Sequence, residues 1–193
     1  LTKWKDGMIG IKDLSGGTNH AIAISDATRP ILRNSGALWW LESDGVDDVL
    51  AFTSTMFTST EFTSTIAWSK RTTPADTNVW PVIGGTGNSD NTNLHIGWSS
   101  TSGGSIRMHQ FNNDFGWNTT YTSATRVGSF LSNSAGRDIR VNGVSQATIP
   151  STTKLSTYPG AGLFRDRLRF GDNDFYGGVM INKALSGTDL TNA

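Results

Sequence analysis

Turn-forming residues interrupt this chain so often that no long helix fits between them, and this punctuation limits the fold more than any other feature. Helical periodicity is almost absent, while Gly, Pro, Asn and Asp recur at short intervals between β-prone runs. What remains is a series of short strands. "GALWWLES" (36–43) alternates, with Trp39 and Leu41 on one face and Leu38 and Trp40 on the other, which predicts one indole in the core and the other facing outward or into a second layer. "TIAWSKR" (65–71), "VWPVIGG" (79–85) and "NLHIGWSS" (93–100) follow, and "SIRMHQF" (105–111) returns after a turn-rich loop as a hairpin partner. In "RDIRVNGVSQATI" (137–149), Asn142-Gly143 between two β-prone runs is the pair that a two-residue type I′ turn prefers. "RLRFGD" (167–172) and "GGVMINKAL" (177–185) supply the last strands, and Ser186 with Asp189 three residues later resembles a capping box for a short terminal helix. The pattern predicts an all-β protein: a two-sheet antiparallel β-sandwich of jelly-roll type, with at most a short C-terminal helix. One domain over residues 1–193 is expected.

Composition agrees. Charged residues are 17% of the chain, so aromatic side chains, including 7 Trp and 9 Phe, must supply burial that a helical protein takes from Leu and Ala. Lys plus Arg balances Asp plus Glu at 16 each, which gives no sign of a nucleic-acid partner. No apolar run approaches membrane-spanning length, so membrane insertion is not expected. The absence of cysteine removes thiolate chemistry and leans towards assembly in a reducing cytoplasm. The chain opens on Leu without a signal-peptide pattern, which reads as a processed form or part of something longer.

Five phrases in order span nearly the whole chain: "KDLSGGTNHA" (12–21), "ESDGVDDVL" (42–50), "FTSTIAWSK" (62–70), "IRVNGV" (139–144) and "FYGGVMINKALS" (175–186). Together they resemble the concanavalin A-like lectin/glucanase jelly rolls, in particular laminin-G-like and pentraxin-like domains. Residues 26–50 are most similar to such domains in phage structural proteins and some bacterial surface proteins. The resemblance implies a sandwich whose relatives include lectins, lyases, hydrolases and structural modules, so function has to be read from the site. Two departures stand out: Ser43 replaces the usual Phe before Asp-Gly, which should loosen the core there, and Val49 replaces a Tyr that could have served a ligand.

The tract "AFTSTMFTSTEFTST" (51–65) repeats Phe-Thr-Ser-Thr from Phe52, Phe57 and Phe62. Five-residue spacing reverses the side-chain face at each copy, so the three rings cannot enter one core from a single straight strand. The resemblance implies that the first copy ends one strand, the second lies in a loop and the third opens the next strand, with Phe62, Ser64, Ile66 and Trp68 on one face.

Catalytic signals are weak. Glycosidases of this fold need paired acids at fixed separation, as in a Glu-x-Asp-x-x-Glu run, yet no such run exists, and Asp44 of the Glu42/Asp44 pair begins a tight turn. His20, His95 and His109 are scattered, and the last two read as a cross-strand pair rather than a metal site. The chain is therefore not expected to be an enzyme. Oxygen-rich loops make Asp44, Asp47, Asp48, Asp172 and Asp174 candidate calcium ligands, weighed against plain turn closure by side-chain hydrogen bonds. Trp80, Trp98, Trp117, Tyr121 and Asn113, several of them within "QFNNDFGWNTTY" (110–121), are candidate glycan contacts, weighed against roles in the core or between subunits. The expected function is a non-catalytic virion structural or appendage protein, capsid-decorating or fibre-like, on the virion surface. Other virion subunits and host-surface glycans are the expected partners. The alternative is a carbohydrate-binding module of a bacterial surface protein or secreted glycoside-active enzyme, outside the cell.

Overall fold

The computed structural model describes residues 10–53, 61–70, 79–83, 94–100, 104–109, 112–120, 122–150, 161–164, 170–187 and 189. Within them, strands run in chain order as β1 (Gly10–Ile11), β2 (Ala21–Ile22), β3 (Ile31–Ser35), β4 (Leu38–Glu42), β5 (Leu50–Phe52), β6 (Phe62–Lys70), β7 (Val79–Ile83) and β8 (His95–Ser99). They continue as β9 (Ser105–His109), β10 (Phe115–Asn118), β11 (Arg126–Asn133), β12 (Gly136–Val141), β13 (Val144–Ile149), β14 (Gly162–Leu163) and β15 (Asn173–Ile181). An eight-stranded sheet has the order β1-β2-β5-β14-β7-β8-β9-β10, and a seven-stranded sheet has the order β13-β12-β11-β6-β15-β4-β3. Neighbours pair antiparallel throughout, as expected for a sandwich.

The core lies between the sheets and is aromatic. Phe62, Ile66 and Trp68 of β6 point inward beside Phe130, Ile139 and Phe175, and they meet Leu50, Ile96, Trp98, Ile106, Met108 and Leu163 from the other sheet. Trp68 and Phe130 pack tilted with centroids 6.1 Å apart, and Phe164 meets Phe175 edge-on at 6.0 Å. The Trp68 ring fills the space beside Gly128: a Cβ there would fall 2.6 Å from the indole. The predicted turn forms between β12 and β13, with Asn142 at φ 51° and Gly143 at φ 81°, the two positive angles that type I′ requires. The β8–β9 hairpin sets His95 opposite His109 and Trp98 opposite Ile106.

The repeated tract splits as expected. Its first copy closes β5 in one sheet and its third opens β6 in the other, so the chain changes layer between them; Phe57 lies outside the described residues. At the C-terminus Gly187 and Asp189 are helical, and the rest of the expected helix lies outside the described residues.

Two sequence expectations are corrected. Neither indole of β4 is a core residue: Leu41 is buried in their place, Trp39 is 48% exposed, and Trp40 is half-buried on the outer face against Tyr176, with ring centroids 5.9 Å apart. Ser43 does not loosen its strand. It is fully buried, donates its hydroxyl to the Gly171 carbonyl and accepts the Asn173 N–H at 3.1 Å, so a polar stitch fastens β4 to the start of β15 where a ring was expected.

Candidate functional site

The seven-stranded sheet does not stay closed. Among the described residues, β4 and β15 pair only at Glu42–Asp174 and Leu41–Phe175. Beyond that point β15 bulges at Tyr176, between the Phe175 and Gly177 registers on β6, while β4 follows its hairpin partner β3 through Trp40–Arg33, Trp39–Asn34 and Leu38–Ser35. Between the diverging strands opens a groove of about 660 Å³, within the range of small-ligand pockets. Leu41, Phe52, Leu163 and Phe175 contribute apolar lining, Trp39 stands at one side, and residues 176–180 of β15 form the other.

A structured loop supplies the polar rim. Asp13 Oδ1 accepts the Ser15 N–H (2.8 Å) and the Ser15 hydroxyl (2.6 Å), while Oδ2 accepts the Asn19 N–H (3.1 Å). These bonds, led by the Ser15 hydroxyl, hold the carboxyl below its ordinary range. The Asp13 N–H in turn donates to His20 Nδ1 at 3.2 Å, and the Thr53 hydroxyl donates to the Thr18 carbonyl, tying the loop to the end of β5. Lys12, Asp13, Ser15 and Asn19 thereby line the groove from a loop held by its own hydrogen bonds. Sequence reasoning placed Trp39 in the strand pattern and "KDLSGGTNHA" in the fold resemblance without joining them. The available signal was the doubled tryptophan: on an alternating strand only one of the pair can face the core side.

Of the five sequence-predicted aromatic and amide positions, Trp98, Trp117 and Asn113 do not line this groove. Trp98 is 3% exposed in the core, with its ring against Gly104, so it offers no stacking face. Trp117 lies half-buried against the core on β10, opposite Ile106. Asn113 gives its backbone carbonyl to Arg137 Nη1 at 2.6 Å; burial pushes that guanidinium's pKa down and the charge of Asp114 opposes the change. The side chain of Trp80 and all of Tyr121 lie outside the described residues. Strand β10, which carries Trp117, is at one edge of the eight-stranded sheet, and β1 beside the groove is at the other.

Of the candidate calcium ligands, Asp44, Asp47 and Asp48 converge, each offering an oxygen within 4.8 Å of the others. Asp44 Oδ1 accepts the Val46 N–H (2.8 Å) and the Asp47 N–H (3.3 Å), and Asp48 Oδ2 accepts the Asp44 N–H (2.8 Å). Burial raises the Asp48 pKa to about 6; the Asp44 N–H works against this, and the charges of Asp44 and Asp47 add to it. Three clustered carboxylates with one of them desolvated suit a hard cation, which would supply the missing positive charge. Asp172 and Asp174 fall outside this group. Asp172 backs onto Gly45, while Asp174 Oδ2 accepts the Ser69 hydroxyl at 3.3 Å and feels the Arg33 charge. Glu42 is held by Arg33 in a two-pronged pair at 3.1 and 3.0 Å. His95 is buried, and the side chain of His109 lies outside the described residues. No helix among the described residues is long and apolar enough to cross a membrane.

No protein-family model matches the sequence, and no curated protein sequence matches it either. Solved structures do share the fold. Domain 4 of AbnA, an extracellular arabinanase from Geobacillus stearothermophilus in complex with arabinotriose, superposes with a TM-score of 0.63 at 10% identity, over 85% of this chain and 80% of that one. The binding domain of botulinum neurotoxin DC in complex with SialylT gives 0.59 at 14% identity, over 85% of this chain and 43% of that one. An arabinofuranosidase complexed with arabinofuranosyl-α-1,2-xylobiose gives 0.58 at 16% identity, over 95% and 44%. The chain thus spans less than half of the last two. The chain shares its β-sandwich fold with these structures.

Proposed function

We propose that this β-sandwich is a non-catalytic, lectin-like module that binds a glycan in the groove between β4 and β15. One observation carries the reading: Trp39 is 48% exposed at the side of an apolar groove whose rim is a polar loop. Sugars offer an apolar ring face ringed by hydroxyls, so an exposed indole beside fixed amide, hydroxyl and backbone groups matches their surface. Solved structures of the same fold caught with oligosaccharides support this use of the sandwich. The phage-like phrase at residues 26–50 supports a place on a virion surface, where the module would sit among other structural subunits and touch host glycans. A calcium ion on Asp44, Asp47 and Asp48 is a separable part of the proposal, since those residues do not line the groove.

Glycan-array screening of the protein and of Trp39→Ala tests the reading. Binding that falls roughly tenfold or more in the variant is expected for a central aromatic contact. Binding that survives Trp39→Ala at full strength would place the site elsewhere. Copurification with capsid subunits tests the virion assignment.

A further inference from the structure

The groove has a charge asymmetry that narrows the class of glycan. Among the described residues, Lys12 and Asp13 are the charged side chains lining it, and they are not equivalent towards a ligand. Asp13 has both oxygens turned to its own loop, accepting from Ser15 and Asn19. Lys12 is exposed, and its ammonium forms no hydrogen bond or ion pair among the described residues. Among the described residues the charged group left for a ligand is therefore a cation, beside an apolar wall bearing Trp39.

Resting on the glycan reading above, we propose that the groove selects acidic saccharides. The ring stacks on Trp39 and the sugar carboxylate, of uronate or sialate type, pairs with Lys12. A charge-assisted hydrogen bond of this kind is stronger than one between neutral groups, and the apolar lining reduces the water that competes for it. The nearby Asp13 would repel a second anionic group on the same loop, which favours one carboxylate per bound unit. Because Lys12 is exposed and has no hydrogen-bond or ion-pair partner among the described residues, its replacement should leave the fold intact.

The test is isothermal titration of two matched pairs: trigalacturonate against its methyl ester, and sialyllactose against lactose. Each is run with the protein and with Lys12→Gln and Trp39→Ala. We expect at least one acidic member to bind about tenfold more tightly than its neutral partner. That preference should disappear in Lys12→Gln and shrink as salt rises, while Trp39→Ala weakens both members. The pair that shows the preference identifies the source of the carboxylate. Equal binding of acidic and neutral members, with Trp39→Ala still weakening both, would overturn the charge selection and leave the glycan reading standing. No binding of these four ligands, together with a wider array blank for neutral glycans, would overturn both.

Discussion

Trp98 and Trp39 lie in opposite sheets and show how differently one residue type is used in this molecule. Trp98 stands on β8, whose five residues are all buried between neighbours paired along their length. Trp39 stands on β4, which leaves β15 after two pairings. The same side chain is a filler where strands stay together and an accessible platform where they part. Register, rather than residue type, makes the difference.

The largest expected effect breaks the closed region. Trp98→Ala or Trp68→Ala should cost ~3–5 kcal/mol, read by denaturant unfolding, because each leaves a cavity the two sheets cannot close. Trp39→Ala should change stability by about 1 kcal/mol or less while abolishing tight glycan binding. A large loss of stability in Trp39→Ala would show that the groove is part of the core. Gly128→Ala follows at ~1–3 kcal/mol, since its new methyl group meets Trp68 and Phe130 at under 3 Å.

Asp48 gives a pH-dependent comparison. Its folded-state pKa, about 6, lies above the ordinary 3.8, so the folded form holds the proton more tightly. Its contribution to stability is therefore fully present below pH ~4 and is lost as pH rises through about 6, leaving a penalty of up to ~3 kcal/mol above that. Asp48→Asn keeps an acceptor for the Asp44 N–H and should stabilise the protein by ~1–3 kcal/mol at pH 8 and by nothing near pH 4. A gain independent of pH would remove burial of the charge as its cause. The smallest effect expected is a rise in melting temperature of ~2–4 °C on adding calcium, reversed by EDTA and weakened in Asp48→Asn, because an ion bound to the folded state alone stabilises it. An unchanged melting temperature would sink the calcium site.

Several elements were legible because their signals are local. The Asn142-Gly143 turn needs two positive φ angles, and that residue pair provides them in any context. The Phe-Thr-Ser-Thr tract had to bend because five-residue spacing reverses faces on a strand, and it does so while changing sheets. The Asp44-Asp47-Asp48 cluster closes within one turn, so proximity in sequence became proximity in space.

The groove was not legible in this way. It joins β1, the loop after it, β2, β4, β5, β14 and β15, segments from residue 11 to residue 180. Alternation in "GALWWLES" defined the two faces of β4, but whether the inward face meets a packed sheet or an opening depends on how many residues β4 pairs with β15. Ser43 was read as a weak point because a missing ring is visible in sequence, whereas the carbonyl of Gly171 that receives its hydroxyl is 128 residues away. By itself the sequence determined the fold class, several of the strands, the Asn142-Gly143 turn and the single-loop acid cluster, since each rests on backbone preferences and side-chain periodicity over a few residues, whereas β3, β10 and β11 were not read from it. The tertiary structure alone decided which tryptophan is reachable and which cation shares its groove, because burial is a property of what the rest of the chain places on top.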